Sequence, residues 1–143
     1  MLSVARSAVL APLVVLGLFV SACGGGQQPA GDIQVTLKDF AIESSTTTVS
    51  AGQIRLAISN QGPSIHEIEV FSLPTGVEPA ALPVKDNVAD TDSVGLTALD
   101  EVEDIAPQTA ATLTVSLQPG RYALICNLPA HYGQGMYALL TVQ

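Results

Sequence analysis

Positive charge is scarce in this 143-residue chain: five lysines and arginines stand against 13 aspartates and glutamates, a formal net charge of −8. That balance argues against nucleic acid or an anionic membrane surface as the ligand. Charged residues make up only 13% of the sequence and hydrophobic ones 48%, which excludes intrinsic disorder. Long apolar runs are also missing. The run AVLAPLVVLGLFV (8–20) is interrupted by Pro12 and Gly17 and is too short for a comfortable spanning helix. Cysteine is nearly absent, with only Cys23 and Cys126. If Cys23 serves elsewhere, Cys126 is alone and no disulfide can form within the domain.

The apolar run, preceded by Arg6, fits the hydrophobic region of an export signal. It ends in VSAC (20–23), which resembles a bacterial lipobox, where cleavage leaves a lipidated cysteine as the first residue. The expected organisation is a lipoprotein signal peptide over 1–22, lipidated Cys23 with a flexible tether over 23–31, and one domain over 32–143. The eight tether residues GGGQQPAG extend to about 26–29 Å at most, so the domain would stay near its membrane. The protein is expected outside the cytoplasm, lipid-anchored on the periplasmic or cell-surface side. Cleavage would leave four basic residues against 13 acidic ones, a net charge of about −9.

Beyond the tether the hydrophobic pattern has period two. IQVTLKDF, QIRLAISN, HEIEVF and TLTVSL alternate, RYALIC is apolar on both faces, and MYALLTV closes the chain. Gly- and Pro-bearing turns separate these runs, predicting an all-β, Greek-key antiparallel sandwich or barrel of about seven to eight strands. Residues 74–98 break the rhythm and read as an irregular excursion with one short helix near 78–82. LDEVEDIAP (99–107) reads as an imperfect strand, with a bulge, turning Leu99, Val102 and Ile105 inward.

The chemistry concentrates in CNLPAHYGQGM (126–136), where Cys126, His131 and Met136 are each separated by four residues. The chain has two histidines, and the other, His66, shares a strand face with Ile68 and Val70. Alone, each of these residues has an ordinary structural explanation. Together, two histidines and a cysteine with a weak axial methionine are the donor set of a blue-copper centre. Thiolate and thioether favour Cu(I), and imidazole also suits Cu(II).

This stretch resembles the cupredoxins, specifically the rusticyanin, sulfocyanin and auracyanin type. AGQIRLAISNQGPSIHEIEV and PGRYALICNLPAH extend the likeness, with Tyr122 four residues before the cysteine. The resemblance implies one type 1 copper per chain, with His66, Cys126 and His131 as equatorial ligands and Met136 as the axial one. It also implies backbone N–H groups of Glu67 and Leu128 directed at the sulfur, which would raise the reduction potential. Pro129, Ala130, Tyr132 and Gly133 would form a rim around His131, the electron port. Two positions depart from the pattern. Glu67 stands where a small polar residue is usual, and its carboxylate is expected to accept a hydrogen bond from Asn127 and brace the site. Ala130 stands where glycine is usual, which implies an ordinary φ.

The implied function is a membrane-tethered, monomeric electron carrier serving a cytochrome or an oxidase subunit with a basic docking face. A copper chaperone, scavenger or delivery role is the alternative. An enzyme is not expected, because both histidines are already assigned and a binuclear centre needs a second loop cysteine.

Overall fold

The computed structural model describes residues 32–143. The expected signal, Cys23 and tether lie outside the described residues. The strands are β1 (Asp32–Lys38), β2 (Ala41–Ser44), β3 (Thr48–Val49), β4 (Gly52–Asn60), β5 (His66–Ser72), β6 (Val84–Lys85), β7 (Val88–Ala89), β8 (Thr97–Ile105), β9 (Ala110–Leu117), β10 (Gly120–Ile125) and β11 (Tyr137–Val142). Two main sheets, ordered β2-β1-β4-β9 and β3-β11-β10-β5-β8, face each other, and β6 and β7 form a separate small ribbon. The expected all-β sandwich is therefore present. Most pairings are antiparallel, but β1 with β4 and β11 with β3 run parallel. Period-two alternation has no term for strand direction, so it could not distinguish these pairs.

Alternation decides which side chains fill the sandwich. From one sheet come Ile33, Val35 and Leu37 of β1, Ile54, Leu56 and Ile58 of β4, and Leu113, Val115 and Leu117 of β9. The other sheet answers with Ile68 and Val70 of β5, Tyr122 and Leu124 of β10, and Leu140 and Val142 of β11. Full burial of each large aliphatic side chain is worth about 1.5–3 kcal/mol, so this layer dominates stability. Strand β10 is apolar on both faces because its outer face is covered too. Ala123 and Ile125 pack with Phe71, Leu73, Leu82, Ala89, Leu96 and Tyr132 in a second cluster. Much of that cover comes from the 74–98 excursion, whose short helix is a 3-10 turn at Pro79–Ala81.

Strand β8 departs from the inward set expected of it. Leu99 is 43% exposed, Val102 is half-buried and Ile105 is buried. Two register shifts against β5, between His66 and Ile68 and between Val70 and Phe71, reset the alternation. The expected bulge is there, and it carries Leu99 out of the core.

Candidate metal centre

Three elements deliver the donor side chains to one end of the sandwich. Cys126 follows β10 and, by parity with Tyr122 and Leu124, faces the core, where it is fully buried. His66 opens β5 and is also fully buried. His131 precedes the 3-10 turn Tyr132–Gln134, and Met136 follows it just before β11. The loop closes on itself: Cys126 N–H donates to the Met136 carbonyl at 3.1 Å, and Met136 N–H donates to the His131 carbonyl at 3.2 Å. Gly135 ends the turn at φ 119°, where a β-carbon would also lie 3.2 Å from the Phe40 carbonyl oxygen. Only glycine suits both demands.

The donor atoms converge. His66 Nδ1 and His131 Nδ1 are 3.2 Å apart, and Cys126 Sγ lies 3.4 Å from His131 Nδ1 and 3.9 Å from His66 Nδ1. Three such ligands around one ion at about 2.0–2.3 Å would stand about 3.5–3.8 Å apart. The triangle therefore has the size of a trigonal metal site. Met136 is fully buried beside it, held by the two backbone bonds just described. Two imidazoles, a thiolate and a thioether fit a single copper ion of the type 1 class.

Without a metal the thiol is strongly disfavoured as an anion: burial pushes Cys126 up to about 11, against opposing backbone N–H groups of Glu67 and Leu128. These are the two amides expected at the sulfur. Burial, followed by the neighbouring His66, pushes His131 below its ordinary range. The Phe40 ring meets His131 edge-on, with centroids 5.2 Å apart.

Glu67 Oε1 accepts a hydrogen bond from the Asn127 backbone N–H at 2.8 Å, so the brace uses the main chain rather than the amide. The Asn127 side chain turns to the excursion, where its Oδ1 accepts from Ala89 N–H at 2.7 Å and its Nδ2 donates to the Ala89 carbonyl. Glu69, next on the same strand face, is pushed up to about 7 by burial and then by the Glu67 carboxylate, and burial raises Glu67 as well.

The structure corrects two sequence expectations. Ala130 has φ 71°, in the left-handed region, rather than an ordinary value. Its N–H donates to the Asn87 carbonyl at 2.7 Å, a contact that opposes the cost of about 1–2 kcal/mol for an L-residue there. Tyr132 is not part of a rim. It is buried, its hydroxyl accepting from Leu82 N–H and donating to the Pro79 carbonyl, each at 2.9 Å. Pro129, Ala130 and Gly133 are exposed near half-buried His131.

Asp39, which no motif in the sequence marks, also reaches the site. Its Oδ1 lies 2.8 Å from His66 Nε2, and the Ser64 hydroxyl donates to its Oδ2. The hydroxyl first, and His66 with it, hold the Asp39 carboxyl below its ordinary range. Nothing in the alternation of β1 marks this residue, because it lies just past the strand end.

Residues 9–138 match the family described as the cupredoxin-like domain. Among solved structures, the chain resembles a dithionite-reduced auracyanin from Roseiflexus castenholzii, at 20% identity and TM-score 0.57, covering 81% of this chain and 99% of that one. It also resembles a reduced rusticyanin, at 14% identity and TM-score 0.52, covering 78% and 79% respectively. A curated relative, the iron uptake system component EfeO of Escherichia coli (strain K12), is 28% identical over 116 residues. That match covers 81% of this chain but only 25% of the relative, so the chain spans about a quarter of its length. With a family match across most of its length and the same sandwich fold, this chain belongs to the cupredoxin-like domain family.

Proposed function

We propose that the protein is a one-electron carrier working through a mononuclear type 1 copper site. The observation that carries the reading is the convergence of His66 Nδ1, His131 Nδ1 and Cys126 Sγ in a buried triangle beside Met136. Copper bound there would supply a Cu(II)/Cu(I) couple. The chain's part is to hold the donors nearly still: His66 and Cys126 sit in the packed core, and the loop bonds fix His131 and Met136. Little rearrangement then accompanies a change of charge. His131 is the one half-buried donor, and exposed Pro129, Ala130 and Gly133 leave room for a partner to approach it. Both histidines of the chain belong to this one cluster, which supports a carrier rather than a copper enzyme. The protein acts as an exported, lipid-anchored monomer, and its acid excess favours a basic face on a cytochrome or oxidase subunit.

The test is to load the purified protein with Cu(II) and record its visible spectrum and electron self-exchange. An intense thiolate-to-copper band, lost in Cys126→Ser, with rapid exchange, is the expected result. A colourless Cu(II) adduct would defeat the type 1 reading.

A second reading, metal handling, is favoured by the likeness to an iron uptake component. It predicts transfer of bound metal to a competing chelator within the time of a binding assay. The carrier should instead retain copper through many redox cycles.

A further inference from the structure

His66 has no solvent exposure, and both its ring nitrogens are engaged. Nδ1 faces the Cys126 sulfur and His131, while Nε2 lies 2.8 Å from Asp39 Oδ1. One tautomer satisfies both sides: Nε2 carries the proton and donates it to the carboxylate, leaving the Nδ1 lone pair for the metal. The carboxylate is itself held. Its other oxygen accepts from the Ser64 hydroxyl, and its side chain is 19% exposed although the residue as a whole lies at the surface.

The turn that supplies Ser64 is organised by Asn60, which is 1% exposed. Asn60 Nδ2 donates to the Ser64 and Ile105 carbonyls, each at 2.8 Å, and its Oδ1 accepts from Gly62 N–H at 2.9 Å. Gly62 must lack a side chain here. A β-carbon would lie 2.9 Å from His66 Nε2 and closer still to Asp39 Oδ1, wedging the pair apart. Strand end, turn and glycine thus converge on a single hydrogen bond behind a metal ligand.

We propose that Asp39 is a positioning residue for the copper centre: it fixes the His66 tautomer, and its negative charge favours the oxidised over the reduced metal. The inference rests on the type 1 reading given above. Its sign opposes that of the Glu67 and Leu128 amides, which withdraw charge from the sulfur. Asp39 therefore lowers the reduction potential that those amides raise.

Two near-isosteric or truncating variants separate charge from position. Asp39→Asn keeps an acceptor at Oδ1 and loses the charge, whereas Asp39→Ala loses both. In the copper-loaded protein, Asp39→Asn should retain the blue band while Cu(II) affinity falls about tenfold and Cu(I) affinity holds, raising the potential by about 59 mV. In the metal-free protein, nitrogen NMR of the His66 ring should show one Nε2-protonated tautomer, replaced by a mixture in Asp39→Ala. An unchanged potential in blue Asp39→Asn would overturn the charge role, and an unchanged tautomer in Asp39→Ala would overturn the positioning role. Absence of a blue band from the unmodified protein would instead count against the type 1 site, and the metal-free tautomer measurement would still decide the positioning of His66.

Discussion

At the scale of single residues, the donors differ in how far the sequence exposes them. Cys126, His131 and Met136 lie on one loop, so their spacing is visible directly, and His66 is placed by parity with Ile68 and Val70. Asp39 reaches His66 from 27 positions away, past the end of β1, and no local pattern announces it. The Glu67–Glu69 pair is half legible: alternation puts both on the outer face but does not show the burial that raises Glu69. That burial has a pH signature. Glu69 moves from an ordinary value near 4.5 to about 7 on folding, so the native protein binds a proton that the unfolded chain releases across this interval. Its contribution to stability is full below about pH 4.5 and is lost as pH rises through about 7. Urea midpoints of Glu69→Gln should therefore vary less between pH 5 and pH 8 than those of the unmodified protein. Equal slopes would show that Glu69 is ionised in the native state throughout.

At the scale of elements, the 74–98 excursion is the segment whose sequence says least and whose placement explains most. Its prolines and scattered acids have no period, yet it covers the outer face of β10 through Leu82, Ala89 and Leu96. It also grips the metal loop at three points: Asn87 on Ala130, Ala89 on Asn127, and Pro79 with Leu82 on Tyr132. These contacts explain why Ala130 tolerates a positive φ and why Tyr132 turns inward rather than forming a rim. Tyr132→Phe would keep the ring but leave the buried Leu82 N–H without its acceptor. The expected cost is about 1–3 kcal/mol in urea unfolding of the metal-free protein. A loss under about 0.5 kcal/mol, no more than a weak bond contributes, would show that the excursion does not clamp the loop through this hydroxyl.

At the scale of the whole molecule, the acid excess shapes encounter rather than fold. A formal charge of −8 should steer a basic redox partner toward this protein, and salt should screen that attraction. With such a partner, stopped-flow electron transfer is expected to slow about tenfold or more between low and high ionic strength. A rate indifferent to salt would point to an apolar encounter around His131 alone. The sequence by itself determined the all-β class, the faces of the regularly alternating strands and the four donor types, because period two and ligand spacing are local properties of the chain. Tertiary structure alone decided which strands run parallel, where the excursion lies, that Ala130 is left-handed and Tyr132 buried, and that Asp39 stands behind His66. Each of these depends on backbone groups or side chains brought together from distant positions, and such meetings follow from packing the whole sandwich.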